Sequence, residues 1–193
     1  EFDGREIAAL DEDEIAAAAK DIAGKKIDAV AITSVFSPLD AAMEHRAEAI
    51  LRRELPHGTC AITLSHRIGR IGLLERENAA ILNAALSDLA ARVVEAFIKA
   101  IGELGIEAPL YISQNDGTLM TAAHAARYPV LTFASGPTNS MRGAAVLSGL
   151  SDALVVDIGG TTSDIGLLLD GFPREAAMTV EVGGVRTNFR MPD

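Results

Sequence analysis

DIGGTTSD, at residues 157–164, is the stretch that says most about this chain of 193 residues. An apolar run, ALVV at residues 153–156, precedes it, and a second run, IGLLL at residues 165–169, follows it. Apolar runs of this length that end in turn residues are typical of buried strands. The sequence therefore predicts two strands over residues 153–169 with a polar turn between them.

The chemistry of this turn suits the phosphates of a magnesium nucleotide. Its candidate ligand-binding residues are Asp157, Gly159, Gly160, Thr161, Thr162 and Asp164. Glycines let backbone N–H groups approach an anion closely, and threonine hydroxyls add donors. Asp157, at the end of the first strand, can hold Mg²⁺ through a water molecule, while Asp164 is either a more distant acid or a turn stabiliser. Such turns also occur without a ligand, but the density of glycines, hydroxyls and acids here favours a phosphate site.

The pattern D-x-G-G-T-x-x-D resembles the phosphate-binding hairpin of the actin, sugar-kinase and heat-shock ATPase superfamily. Further landmarks precede it in this order: Ser65-His66-Arg67-Ile68, Glu75-Arg76-Glu77-Asn78, Leu82-Asn83-Ala84, residues 109–120 (PLYISQNDGTLM) and Ser135-Gly136-Pro137. The ordered set is similar to the hydantoinase A/oxoprolinase family, which includes N-methylhydantoinase, 5-oxoprolinase and the acetone carboxylase β subunit. The resemblance runs from about Asp28 to the C-terminus.

The resemblance implies an ATP-dependent enzyme, or a subunit of one, that opens a cyclic amide ring. It implies ATP and Mg²⁺ as cofactors, a small cyclic amide as substrate, and the rest of the polypeptide and a hydantoinase B-type subunit as partners. Family members carry an earlier phosphate hairpin and a later glycine-rich segment, so we expect this chain to be a fragment that is inactive by itself. A small-molecule kinase and a non-enzymatic actin-like or reactivase-type ATPase stay open as alternatives.

Two of the departures from the family pattern keep the phosphate-binding chemistry and bear on which substrate is bound. The family often reads DMGGTSTDV where this chain reads DIGGTTSDIG at residues 157–166, and SHEI where this chain has SHRI at residues 65–68. An acidic side chain is thus replaced by Arg67. No catalytic residue is assigned from the sequence.

Three other polar segments each have a structural and a functional interpretation. Ser135 and Gly136 stand before a predicted helix, whose N-terminus either binds an anion or is only capped there. Residues 115–117 (NDG) follow a predicted strand, where they form either a turn or part of a ligand site. His66 matches a family landmark, although a structural or surface role is the simpler interpretation.

Composition excludes several classes of protein. The chain is 49% apolar, which is enough for a core, and it has no apolar run long enough to span a bilayer. A net charge of -10 argues against nucleic acid or an anionic membrane as partner. The single cysteine, Cys60, excludes an internal disulfide and fits a reducing compartment, so we expect a cytoplasmic location.

Elsewhere the sequence alternates between helices and strands. Helices are predicted over residues 12–23, 75–101, 121–127 and 139–150, and strands over residues 29–36, 60–64, 110–113, 130–134 and 178–182. Ser37 is expected to cap a further helix with Pro38 at its first position.

This alternation predicts an α/β fold with a mostly parallel sheet that ends in an antiparallel phosphate-binding hairpin. Such a mixture fits partial ribonuclease-H-like lobes of an actin-like ATPase. We assign residues 1–66 to the end of an N-terminal hydantoinase/oxoprolinase domain and residues 67–193 to the start of a hydantoinase A domain.

Overall fold

The computed structural model describes residues 2–6, 8–176 and 179–192. Its helices are α1 (Glu12–Gly24), α2 (Ala42–Glu54), α3 (Leu73–Glu103), α4 (Ala122–Arg127) and α5 (Ser135–Ser148). Its strands are β1 (Ala29–Ile32), β2 (Ala61–Leu64), β3 (Tyr111–Ser113), β4 (Leu119–Thr121), β5 (Ala153–Ile158), β6 (Ser163–Leu169), β7 (Phe172–Pro173), β8 (Val180–Val182) and β9 (Val185–Thr187). Within the described residues, no helix combines the length and apolarity needed to cross a membrane.

The chain divides into two compact units. Unit 1 comprises Glu1–Asp88 and Thr179–Phe189, and unit 2 comprises Leu89–Met178 and Arg190–Asp193. The division falls inside α3.

Unit 1 is built around the parallel pair of strands β1 and β2. The two strands pair in register from Ala29↔Ala61 to Ile32↔Leu64, and α2 lies in the crossover between them, as parallel pairing requires. α1 begins where the carboxylate of Asp11 accepts the Glu14 N–H at 2.9 Å. The core of unit 1 is a cluster of small and aliphatic side chains: Ala19, Leu51 and Leu55, with Ile15, Ile22, Val30, Ile32, Cys60 and Ile62 packed against them.

Unit 2 holds the hairpin of β5 and β6, which packs on α5 through one face. Met141, Ala145 and Leu168 are buried together, with Ala153 and Val155 against them. A Cβ at Gly166 in β6 would lie 2.2 Å from Cε of Met141, so a larger residue there fits only if the Met141 side chain moves. A second cluster joins the α3 part of this unit to β3, β4 and α4: Val94, Met120, Ala122 and Ala125.

The sheets are smaller and less parallel than the sequence predicts. Among residues 2–6, 8–176 and 179–192, β1 and β2 form a parallel pair, whereas β3–β4, β5–β6–β7 and β8–β9 are antiparallel sheets. The prediction of a mostly parallel sheet is therefore wrong for this part of the chain. Turns such as Gly183-Gly184, with φ of 60° and 80°, join neighbouring strands directly, and no helix crosses between them.

Helices α1, α3 and α4 are confirmed close to their predicted bounds, but four local predictions are wrong. The strand predicted over residues 29–36 ends at Ile32, and residues 35–39 form a turn. Residues 129–132 form a 3₁₀ helix rather than a strand, because Pro129 fixes φ in the helical range and cannot donate to a sheet. α5 begins at Ser135 rather than at residue 139, since a proline in the first turn of a helix is tolerated. Ser37 does not cap α2, which begins five residues later, where Asp40 accepts the Ala42 N–H at 2.9 Å.

The strand predicted over residues 178–182 is confirmed for its described part. Val180–Val182 pairs with Val185–Thr187 in antiparallel register. Residue 178 lies outside the described residues.

Candidate functional site

The strand–turn–strand predicted at residues 153–169 is confirmed. β5 and β6 pair in antiparallel register from Ala153↔Leu168 to Ile158↔Ser163. Residues 159–162 form the turn, which the Gly159 N–H closes by donating to the Thr162 carbonyl at 2.9 Å. Six candidate ligand-binding residues are thus brought to one end of one hairpin.

The two glycines of the turn differ in their surroundings. The Gly159 N–H is used within the turn, and a Cβ at this position would lie 3.2 Å from the Thr162 oxygen. Gly160 has a φ that any residue adopts, and a Cβ there would meet no atom within 4 Å. The fold therefore does not require glycine at position 160, and the exposed turn leaves its backbone open to a ligand.

The aspartates of the hairpin face each other across the strands. Asp157 of β5 pairs directly with Asp164 of β6, and the first is half-buried while the second is exposed. Within the described chain neither has a salt-bridge partner. Like charges directly opposite each other destabilise a strand pair, so this end of the hairpin is suited to a cation.

Ser135 and Gly136 lie in a different element, the first turn of α5. The helix is preceded by Ala134 in the left-handed region, with φ of 55° and ψ of 21°, and no side chain caps it. Ser135 is half-buried and Gly136 is exposed. The 14-residue helix thus presents an uncapped N-terminus, where free N–H groups favour an anion.

Asn115 has a structural role beneath this helix. Its side chain is 1% exposed, and its Nδ2 donates to the Arg190 carbonyl at 2.6 Å. The hydroxyl of Thr138, in α5, lies 3.1 Å from the Asn115 carbonyl. The next residue, Asp116, accepts the Thr118 N–H at 2.9 Å, which is the geometry of an Asx turn.

Unit 1 contains a buried ionic network centred on Glu44. This side chain is fully buried on α2, and its Oε1 accepts the Ser65 hydroxyl at 2.5 Å and the Ser34 N–H at 3.1 Å. Its Oε2 lies 2.6 Å from Nδ1 of His66 and accepts the backbone N–H of the same residue at 3.2 Å. The carboxylate therefore joins the loops that follow β1 and β2.

Arg76 supplies the opposite charge in this network. It is 1% exposed, and its Nε donates to the Ser65 hydroxyl at 2.9 Å. Its Nη2 donates to the Ser34 carbonyl at 2.5 Å, and its Nη1 donates to the Arg70 and Gly72 carbonyls. One buried guanidinium thus fixes both loops and the start of α3.

Two protein-family models together match most of this chain. Residues 76–193 match the family model described as hydantoinase/oxoprolinase, and residues 1–55 match the model of the hydantoinase/oxoprolinase N-terminal region. The chain belongs to the hydantoinase/oxoprolinase family.

Relatives in this family are much longer than the present chain. It is 30% identical over 191 residues to the caprolactamase subunit alpha of Pseudomonas jessenii, covering 97% of this chain and 25% of that subunit. It is 27% identical over 184 residues to an uncharacterized protein of Methanocaldococcus jannaschii, covering 94% and 27%. The chain therefore spans about a quarter of the length of the curated relatives it matches.

Solved structures show the same fold. The crystal structure of the ATP-dependent caprolactamase from Pseudomonas jessenii matches with a TM-score of 0.81 at 27% identity, over 99% of this chain and 28% of that one. The nucleotide-free acetone carboxylase matches with a TM-score of 0.72 at 20% identity, over 99% and 27%. The first match supports the family, and the second shows the fold alone.

In this hydantoinase/oxoprolinase family member, sequence reasoning missed Glu44 as a site residue. Ser65, His66 and Arg76 all lie in the family landmarks, but nothing in those motifs points to a carboxylate on α2. A glutamate between apolar positions Met43 and Ala47 was the available signal, because an acid on the packed face of a helix needs a buried partner.

The environment of Glu44 lowers the pKa of its carboxyl group. Burial raises this pKa, but hydrogen bonds from Ser37, Ser65 and His66 to the carboxylate outweigh burial. For Arg76, burial lowers the pKa and the negative charge of Glu44 opposes it. The Ser65 hydroxyl links the two charged groups, because it accepts a hydrogen bond from Nε of Arg76 and donates one to Oε1 of Glu44. Among the described residues, no group of three or more His, Cys, Asp or Glu side chains is placed to hold a metal ion.

The lowered pKa of Glu44 makes unit 1 sensitive to acid. A folded-state pKa below the unfolded value, about 4.3, contributes stability above that pH and loses it as the pH falls through the folded-state pKa. We expect Glu44→Gln to be less stable near neutral pH and to lose less stability between about pH 5 and pH 3. Urea unfolding at several pH values measures this, with Glu103→Gln, at a site 68% exposed, as control. Equal pH dependence in wild type and Glu44→Gln would contradict the expectation.

Proposed function

We propose that this chain carries a phosphate-binding hairpin of an ATP-dependent enzyme that acts on cyclic amides. The observation that carries the proposal is the end of the β5–β6 hairpin, where an open glycine turn adjoins two aspartates that have no salt-bridge partner among the described residues. Relatives named as ATP-dependent caprolactamase support both the use of ATP and the class of substrate.

Five of the six candidate hairpin residues have a direct role in the proposal, since the N–H of Gly159 is used within the turn. The Gly160 N–H and the hydroxyls of Thr161 and Thr162 donate to phosphate oxygens. Asp157 holds Mg²⁺ through a water molecule, and Asp164 adds negative charge opposite it. The α5 N-terminus at Ser135 and Gly136 is a second set of donors for the same class of anion.

The pairing of Asp157 with Asp164 fits a divalent cation. Two carboxylates face each other in register, and no cationic side chain among the described residues neutralises them. Mg²⁺ prefers one or two carboxylates with water and phosphate oxygens as its remaining ligands. Bound Mg-ATP would supply the phosphoryl group that activates an otherwise poorly electrophilic amide.

The rest of a longer polypeptide is the proposed cover for the outer face of the hairpin. Leu154, Val156 and Ile158 on β5 are 65%, 50% and 78% exposed, and Ile165 on β6 is 63% exposed. Strands that are apolar on both faces are typical of sheets covered on both sides. Relatives about four times as long as this chain have the additional residues to cover it.

We also propose that both units belong to ribonuclease-H-like lobes and that the family domains meet near residue 66.

Turnover by the complete polypeptide that contains these residues tests the proposal. It is expected to release ADP and phosphate only with Mg²⁺ and a cyclic amide (5-oxoproline, hydantoin or caprolactam), and to open that ring in equal amount. A hydantoinase B-type subunit is added in a parallel assay, since the caprolactamase relative is named as an alpha subunit. A phosphorylated product with an intact ring would identify a kinase instead. ATP hydrolysis indifferent to every amide would identify a non-enzymatic ATPase module.

A further inference from the structure

Two polar loops of unit 1 meet at the carboxyl ends of parallel strands. Ser34 follows β1 by two residues, and Ser65 and His66 follow β2 directly. Both loops bind the same carboxylate of Glu44. In α/β sheets, ligands bind outside the carboxyl ends of parallel strands. This edge of unit 1 therefore has the position of a ligand site, separate in sequence from the β5–β6 hairpin.

Glu44 fixes the orientation and the tautomer of His66. The ionised carboxylate only accepts hydrogen bonds, so Nδ1 of His66, 2.6 Å from Oε2, carries the proton. In the neutral ring this leaves Nε2 with a lone pair. Within the described chain Nε2 has no hydrogen-bond partner, and the His66 side chain is 15% exposed although Glu44 is fully buried. Glu44 thus holds the ring at Nδ1 and the His45 ring packs edge-on against it at a centroid distance of 4.9 Å, which leaves Nε2 open to one further contact.

The free-energy cost of burying Glu44 and Arg76 argues for a role of this network beyond packing. Burying the charges of Glu44 and Arg76 costs free energy that apolar residues of similar volume would avoid. In the loop that follows β1, Phe36 has a φ of 58°, a strained conformation for an aromatic residue. The buried Thr33 hydroxyl has no hydrogen-bond partner among the described residues. The loop that follows β1 thus contains a strained residue and an unpartnered buried hydroxyl, and it shares the Glu44 carboxylate with the oriented imidazole of His66. Backbone strain of this kind clusters at ligand sites.

We propose that His66 is a ligand-binding residue of unit 1, whose Nε2 accepts the ring N–H of a cyclic amide. A neutral imidazole nitrogen with a lone pair selects an N–H or O–H donor, and a cyclic secondary amide presents an N–H on a small uncharged ring. The choice of this ligand class rests on the proposed function, whereas the oriented imidazole does not. Glu44 acts as a positioning residue.

Two substitutions of His66 separate ligand binding from folding. His66→Asn places an amide near the position of Nδ1, which preserves the bond to Glu44 and removes Nε2. His66→Gln places an amide oxygen near the position of Nε2. His57→Asn, in an exposed turn of the same unit, is the control for loss of an imidazole.

In the complete polypeptide, His66→Asn is expected to raise both the KM and the Kd for the amide about two- to tenfold, the effect of one lost hydrogen bond. The Tm and the Kd for Mg-ATP are expected to stay unchanged. His66→Gln is expected to recover part of the affinity, and His57→Asn is expected to match wild type. Amide binding by calorimetry, with caprolactam and 5-oxoproline as probes, is measured beside turnover.

Unchanged amide binding in His66→Asn would overturn the inference, and so would a joint loss of Tm and of affinity for both ligands, which would mark a structural residue. If wild type shows no ATP-dependent turnover but binds the amide through His66, the proposed function fails and this inference stands. If wild type binds no amide probe, the inference fails.

Discussion

Arg76→Met is expected to lower the free energy of unfolding by about 3–5 kcal/mol, the usual effect of leaving a buried charge without its counter-charge. Glu44 would remain buried without its counter-charge, and the Ser34, Arg70 and Gly72 carbonyls would each lose one of their hydrogen-bond donors. Domains are stable by only about 5–15 kcal/mol, so this change removes a large fraction of the total.

The measurement is urea unfolding followed by circular dichroism, with hydrogen exchange at β2 amides assigning the loss to unit 1. Arg52→Met is the matched control, because Arg52 pairs with Glu48 at 2.6 Å on the same unit but is 52% exposed. Exposed pairs contribute about 0–1 kcal/mol, so the control is expected to change little. A loss below about 1 kcal/mol in Arg76→Met would show that the network is not a source of stability.

A double-mutant cycle isolates the interaction of the two charges. Glu44→Gln alone leaves Arg76 buried and uncompensated, whereas the double variant Glu44→Gln with Arg76→Met has no buried charge. The double variant is therefore expected to be less destabilised than the sum of the single variants, by about 0.5–3 kcal/mol. Additive losses would mean that the hydrogen bonds of Arg76 to backbone carbonyls, rather than its charge, carry the effect.

Local sequence patterns predicted secondary structure correctly where a pattern is compatible with only one type of element. The spacing of Leu82, Leu86, Leu89 and Val93 gave α3, and two apolar runs around a glycine turn gave the β5–β6 hairpin. The same spacing did not predict burial, since Leu89 and Val93 are 52% and 44% exposed in unit 2. Periodicity reports which residues share a face and says nothing of whether that face is covered.

The Glu44 network could not be predicted from local patterns because its members are far apart in sequence. Glu44 contacts Ser65 and His66 across 21 and 22 positions, and Arg76 reaches Ser34 across 42. A single acid on α2 or a single arginine in α3 is usually a solvated surface residue. Only the parallel pairing of β1 and β2 brings these charges together.

For residues 130–134 the apolar run was short enough to fit either a strand or a helical turn. Pro129 favours the helical turn that the structure shows.

Gly160→Val is expected to leave the fold intact and to weaken Mg-ATP binding at least about tenfold. A Cβ at this position would meet no atom within 4 Å, and the backbone φ is one that any residue adopts. The free energy of unfolding is therefore expected to change by less than about 0.5 kcal/mol. A branched side chain at the exposed turn would keep phosphate oxygens from the backbone N–H groups that the proposal assigns to them.

Calorimetry with Mg-ATP on the complete polypeptide measures the affinity, and thermal unfolding of the same samples measures the fold. Gly102→Val is the matched control, because Gly102 lies in the same unit, with ordinary φ and no atom within 4 Å of a Cβ. Nucleotide affinity that survives Gly160→Val would show that the turn does not contact phosphate. In that case the pairing of Asp157 with Asp164 would need another cation or partner to relieve its repulsion. Loss of affinity in both glycine variants would instead indicate an effect that is not local to the hairpin turn, because Gly102 lies in α3, outside the proposed phosphate site.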